Sequence, residues 1–281
     1  MGAMATSWRL LVSGLADGPR NMAIDEAVLQ AVGEGGSPPT LRLYAWQPAC
    51  LSLGYSQQAA VVDQTVLADQ GWGLVRRPTG GRALLHADEL TYAIIGPIDH
   101  PALAGGVLDS YRRLSAGLVA ALDRLGARAD PPSGGTLSPE ERANPVCFEV
   151  PSAYEITIGG RKLVGSAQLR RVRAVLQHGS LPLRGDITRV VRALRFDSPD
   201  ARRAASERLA RHATTLEDVL GRPVGWEEVA QAMTTGFAGA LALEWIEGGL
   251  STREMDLAAR LEELRRRDPL HALRIPGEVA W

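Results

Sequence analysis

Tyr154-Glu155-Ile156-Thr157-Ile158-Gly159-Gly160-Arg161-Lys162-Leu163-Val164-Gly165-Ser166-Ala167-Gln168 is the stretch from which the fold is read. Two β-prone runs, Tyr154–Ile158 and Lys162–Gln168, flank Gly159-Gly160, and paired glycines accept the positive φ of a tight hairpin turn. Val175 to Pro182 reads as the next strand. Upstream, Cys50–Leu53, Gly73–Arg76, Arg82–His86 and Leu90–Ile95 read as further short strands. Thr40–Trp46 alternates Leu41, Leu43 and Ala45 against Arg42 and Tyr44, the pattern of a half-buried strand. Strands in quick succession joined by hairpins predict an α+β fold with a mixed, largely antiparallel sheet flanked by helices, not regular βαβ winding.

The helices frame these strands. Asn21–Val32 places Ile24, Ala27, Val28 and Ala31 on one stripe after the Asp17-Gly18-Pro19 turn. Val107–Leu125 reads as a long helix, and Asp130–Asn144, rich in proline and glycine, as a loop. From Asp186 onward come helical segments, punctuated by Gly221-Arg222-Pro223 and Gly248-Gly249, with short strands between them. The expected organisation is an N-terminal segment and helix (1–37) packed on a main domain (38–249), followed by a helical C-terminal tail (250–281).

Lys162 is the only lysine, so the remaining thirty of the 31 basic residues are arginine. Arginine replaces a surface lysine in most respects, but it cannot act as a compact ammonium with an adjustable pKa. A chain that uses lysine once marks a position where that exchange fails. Elsewhere the composition is that of a soluble globular protein: 281 residues, 45% hydrophobic, 22% charged, net charge −1. The near-neutral balance excludes a nucleic-acid binder, which needs a basic excess. Arg202-Arg203 and Arg265-Arg266-Arg267 lie among acidic residues on helical patterns and read as solvated faces. No apolar run reaches the length of a membrane span and no export signal is visible, which predicts a cytoplasmic protein without a membrane partner. Two cysteines, Cys50 and Cys147, are too few for a disulfide framework and fit a reducing compartment.

Three segments carry candidate chemistry. In Arg76-Arg77-Pro78-Thr79-Gly80-Gly81-Arg82-Ala83-Leu84-Leu85-His86 the glycines let backbone approach a ligand and the arginines can grip an anion. Asn144-Pro145-Val146-Cys147-Phe148-Glu149-Val150-Pro151 holds a cysteine between prolines in a loop, where reactive groups are commonly presented. Cys50, within Ala49-Cys50-Leu51-Ser52-Leu53, reads as buried packing. The third segment is the lysine hairpin, followed by Leu176-Gln177-His178-Gly179-Ser180.

The order and spacing of Arg-Arg-x-Thr-Gly-Gly-x-Ala-x-x-His (Arg76–His86), Cys147-Phe148 with Pro151, Ser152 and Tyr154-Glu155-Ile156, Gly160-x-Lys-Leu-Val-Gly-Ser-Ala-Gln, and Leu-Gln-His-Gly-Ser resemble the biotin/lipoate-attachment superfamily. The resemblance is closest to its LipM-type octanoyltransferases and runs from about Pro38 to Gly249. It implies the catalytic-domain fold of the biotin and lipoate ligases and an octanoyltransferase acting in protein lipoylation. It implies octanoyl-acyl carrier protein as donor and a lipoyl carrier domain, such as the glycine cleavage H protein, as acceptor, with no cofactor and a monomer as the simplest state. Cys147 would be the nucleophile and Lys162 the ammonium beside its sulfur. Arg77, Thr79, Gly80, Gly81, His86, Gly165, Ser166, Ala167, Gln168 and His178 would bind substrate. Three alternatives stay open: an ATP-dependent lipoate–protein ligase, an amidotransferase between carrier proteins, and a non-catalytic acyl-carrier-binding module.

Overall fold

The structure, a computed structural model, describes residues 6–131 and 155–271 and the backbone of 279–280. The elements, in chain order, are β1 (Thr6–Ala16), α1 (Gly18–Gly33), β2 (Thr40–Trp46), β3 (Cys50–Leu53), α2 (Gln64–Gln70), β4 (Gly73–Arg76), β5 (Leu84–His86), β6 (Glu89–Pro97) and α3 (Val107–Leu125). Then come β7 (Ile156–Ile158), β8 (Arg161–Arg170), β9 (Ala174–Pro182), α4 (Pro199–His212), α5 (Leu216–Leu220), α6 (Trp226–Leu241), β10 (Leu243–Glu247), α7 (Thr252–Arg267) and β11 (Val279–Ala280).

The hairpin forms where the glycines require it. Gly159 and Gly160 have φ of 58° and 73°, and Asp130 accepts both of their N–H groups at 3.1 and 2.9 Å. Donation from the Gly160 amide holds the Asp130 carboxyl below its ordinary range. Beyond the turn, β8 pairs antiparallel with β9 and β9 with β6, so that Gly165, Ser180 and Thr91 lie in one row and Ala167, His178 and Ala93 in another. The main sheet runs β10-β1-β2-β6-β9-β8-β11, with β7 on β8, and β4-β3-β5 form a second, three-stranded sheet. Only the β10-β1-β2 pairs of the main sheet are parallel. This is the mixed, largely antiparallel α+β architecture expected.

Helices cover both faces of the main sheet. On one face α3 packs against α6 through two glycines: a Cβ on Gly117 would lie 2.3 Å from the Phe237 ring, and one on Gly236 would lie 2.5 Å from the Ala121 nitrogen. That core includes Leu43, Tyr92, Leu118, Val175 and Phe237. On the other face α1 and α7 cover Tyr44, Trp46, Ala93 and Leu176. A third cluster joins the small sheet to a 3-10 turn at Ile187–Ala193 and to α4.

Three expectations change. Strand β1 is not evident from the sequence pattern, yet it stands between β10 and β2. Strand β2 is buried on both faces, with Arg42 and Tyr44 at 0% exposure, because α1 brings a carboxylate to the arginine. Arg265 is also fully buried and pairs with Glu26 on α1 at 2.7 Å, while Arg202, Arg203, Arg266 and Arg267 remain exposed. Much of the expected Asp130–Asn144 loop lies outside the described residues.

Candidate active site

Strand ends of the two sheets and the first turn of α3 enclose a cavity of about 470 Å³, within the usual range for small-ligand sites. Met22 of α1, Tyr44 and Trp46 of β2 and Leu108 and Tyr111 of α3 give it a mostly apolar wall. Eight of the predicted site residues line it: Arg77, Gly81, His86, Gly165, Ser166, Ala167, Gln168 and His178.

Arg77 shapes the glycine turn. Its Nε and Nη2 donate to the Gly80 carbonyl at 3.1 and 2.9 Å, and Nη2 also reaches the Arg82 carbonyl at 2.7 Å. Nη1 donates to the carbonyl and hydroxyl of Ser52 at 3.2 and 3.0 Å. Each of the five N–H directions of the guanidinium thus meets a protein acceptor. Gly54 seats the turn from the other side: a Cβ there would fall 1.9 Å from the Gly81 oxygen.

Behind the turn, Thr79 is buried and its hydroxyl lies 2.6 Å from Nε2 of His178. The other ring nitrogen of His178 faces Asp25 at 3.4 Å. Burial holds the imidazole below its ordinary pKa, against the pull of Asp25, and the Arg77 guanidinium pushes the same way. For Asp25 burial works upward, but Arg42 and His178 outweigh it and hold the carboxyl below the usual range. Arg42 reaches Asp25 at 2.6 Å, donates to the Asn21 side chain at 2.7 Å and lies 3.9 Å over the Tyr44 ring. His86 stacks on Trp46 with centroids 4.0 Å apart and ring planes 11° apart, and its Nδ1 contacts Glu89 at 2.7 Å.

Lys162 is buried, at 2% exposure, and its ammonium pairs with Glu155 on the cavity wall. Gly80 contributes its carbonyl to Arg77 and does not line the cavity. Ser166 and Tyr92 share a hydrogen bond of 2.6 Å, while both amide hydrogens of Gln168 are engaged by Ser110 and Gln177. Cys147, and with it the expected contact between its sulfur and Lys162, lies outside the described residues. Cys50 is fully buried, and burial drives its thiol pKa far up.

Comparison with known proteins decides the family. Residues 17–238 match the lipoyl protein ligase A/B catalytic domain. The octanoyltransferase LipM of Moorella thermoacetica is 45% identical over 262 residues, covering 93% of this chain and 95% of that one. The octanoyltransferase LipM of Symbiobacterium thermophilum is 44% identical over 268 residues, covering 93% and 96%. The chain belongs to the LipM octanoyltransferase family. Solved structures agree on the fold. The archaeal bi-partite lipoate protein ligase of Thermoplasma acidophilum superposes on this LipM-family chain with a TM-score of 0.76 at 24% identity, covering 93% of each. Lipoate-protein ligase A bound with ATP superposes with a TM-score of 0.73 at 24% identity, covering 92% and 95%.

Asp25, Arg42 and Glu89 belong to this LipM-family site, and motif reading does not find them. For Asp25 the signal available was local: Asp25 and Glu26 interrupt an otherwise apolar helix, charges in a segment that the pattern buries, which implies a buried partner. Arg42 falls on the polar side of the strand alternation and gives no such signal.

Proposed function

We propose that this octanoyltransferase takes its acyl group from octanoyl-acyl carrier protein, holds it as a thioester on Cys147, and passes it to a lysine of a lipoyl carrier domain such as that of the glycine cleavage H protein. The observation that carries the reading is the chain's one lysine, buried and paired with a carboxylate on the wall of a mostly apolar cavity. Its hairpin follows the Cys147 segment directly in sequence.

In the first step the Cys147 thiolate attacks the thioester carbonyl, a new C–S bond forms, and the carrier's sulfur leaves as a thiolate that takes up a proton. An ammonium beside the cysteine favours the thiolate and lowers its pKa. One thioester replaces another, so the step needs no ATP. In the second step the acceptor amine attacks the acyl-enzyme, the C–S bond breaks and an amide forms. The amine proton is released and Cys147 leaves as thiolate. Dividing acyl transfer in this way is covalent catalysis. Backbone N–H groups near Gly81 or Ser166-Ala167, which border the cavity, are the candidate donors for the tetrahedral oxyanion. No described helix is long and apolar enough to cross a membrane, and the reading places the reaction in the cytoplasm.

The test is intact mass after mixing the protein with octanoyl-acyl carrier protein in the absence of ATP. The expected result is one added octanoyl group, absent from Cys147→Ala. Acylation that persists in Cys147→Ala, or that requires ATP and free octanoate, overturns the reading.

A further inference from the structure

The inner wall of the cavity carries polar side chains but turns their hydrogens away from it. Tyr44 directs its hydroxyl hydrogen to Asp25 at 2.9 Å. Thr91 and Ser180 direct theirs to Glu89, and the Trp46 indole N–H goes to Thr91 at 2.7 Å. The His86 ring meets Glu89 and Ser52 through its two nitrogens, and the His178 ring meets Asp25 and Thr79. All six of these side chains are buried and all six line the cavity. Asp25 and Glu89 do not line it; they sit behind the wall at 0% and 4% exposure. What remains toward the ligand is ring faces, a methyl group and oxygen lone pairs.

We propose that Asp25 and Glu89 determine specificity by gathering these hydrogens, leaving the stretch of wall formed by Tyr44, Trp46, His86, Thr91, His178 and Ser180 without a side-chain donor, so that it accepts a hydrocarbon acyl chain and rejects one of equal length bearing an acceptor-only group such as a ketone. A methyl or methylene loses nothing there. A ketone gives up its hydrogen bonds to water and finds no donor in return, a loss worth about tenfold or more in affinity. The inference rests on the octanoyl-transfer reading given under Proposed function and takes this mostly apolar cavity as the place of the acyl chain.

Glu89 offers the cleaner variant, because Arg42 depends on Asp25 for its charge partner. In Glu89→Gln the oxygen that receives His86 and Thr91 is kept. The other oxygen, which receives Ser180 alone, becomes an amide donor. Ser180 must then accept, and its hydrogen turns toward the cavity.

The experiment measures binding of octanoyl-pantetheine, and of analogues with a ketone at the fifth or the seventh carbon, to the full-length Cys147→Ala protein by calorimetry. Parallel acylation rates use the cysteine-containing protein. The ketone chains should bind about tenfold or more weakly than octanoyl. Adding Glu89→Gln should close that gap for at least one ketone position, and adding Ser180→Ala on top should reopen it. Equal binding of ketone and octanoyl chains overturns the proposal, as does a ratio that Glu89→Gln leaves unmoved or a gain that survives Ser180→Ala. A purely structural role for Glu89 would weaken all chains alike. Should Glu89→Gln fail to fold, the series with the glutamate intact still decides, since equal binding there is sufficient to refute. Selective binding without acylation would sink the acyl-transfer reading and leave this one standing; no binding of octanoyl-pantetheine overturns both.

Discussion

Lys162 is where a single atom type matters most. Its ammonium is buried against Glu155, and the larger, planar and permanently charged guanidinium of arginine cannot supply the same chemistry. Lys162→Arg should lose about a hundredfold or more in single-turnover acyl transfer, the range of a positioned acid–base group. The melt should stay close to that of the parent, because the turn rests on Gly159, Gly160 and Asp130. Arginine rates near those of the parent protein would make the lone lysine an accident of composition. Cys50 gives the opposite expectation. Burial raises its pKa, so it stays a thiol at pH values where a free cysteine, with pKa near 8.5, ionises. Peptide mapping after iodoacetamide should find Cys50 unmodified at about that pH; labelling at the rate of a free thiol would show that its packing opens. Its burial was legible from Ala49-Cys50-Leu51-Ser52-Leu53 alone, as a small apolar-like residue in a strand.

At the scale of elements, α1 and β2 are joined by an ion pair with no exposure on either side. Removing one partner leaves an uncompensated buried charge, so Asp25→Asn should cost about 3–5 kcal/mol in denaturant unfolding at neutral pH. A loss below about 1 kcal/mol, the scale of a surface pair, would refute that. The pH dependence follows from the direction of the shift. The folded pKa of Asp25 lies below its unfolded value of about 3.9, so its contribution is fully present above that value. It is lost as the pH falls through the lower, folded value, and Asp25→Asn should flatten this part of the acid-unfolding profile. Most element boundaries could be read from sequence: β2, β3, β4 and α3 lie where alternation, helical stripe and turn residues place them. The inward polar face of β2 could not, because alternation reports polarity and not what stands opposite.

For the molecule as a whole, α7 acts as a brace. Arg9 of β1 forms a two-pronged pair with Glu254 at 2.7 and 2.6 Å, and Arg265 joins Glu26 of α1 at 2.7 Å. Arg265 also donates to the Arg76 carbonyl at 2.8 Å, and Arg76 holds the carbonyls of Gly54, Tyr55 and Gln57 beside the glycine turn. Burial pushes the Glu26 carboxyl upward despite the opposing pull of Arg265. Arg265→Met should lower the melting temperature by about 10 °C, from a buried-pair loss of several kcal/mol in a domain of this size. The double variant Arg265→Met with Glu26→Leu should recover much of that loss, since a packed apolar pair replaces the stranded carboxylate. No drop in the single variant would mean that α7 is held by its apolar face alone.

The sequence by itself determined what is local: the Gly159-Gly160 hairpin, the run of short strands and the motif order that marks the family. Period, turn chemistry and spacing act over a few residues and are written where they act. Only the tertiary structure decided that β1 lies parallel between β10 and β2, and that Arg42, Arg265 and Glu89 are interior. Arg42 meets its carboxylate 17 residues away, and Arg265 meets its own 239 residues away. A charge is buried or solvated according to whether an opposite charge arrives from elsewhere in the chain, and that arrival is a property of the fold.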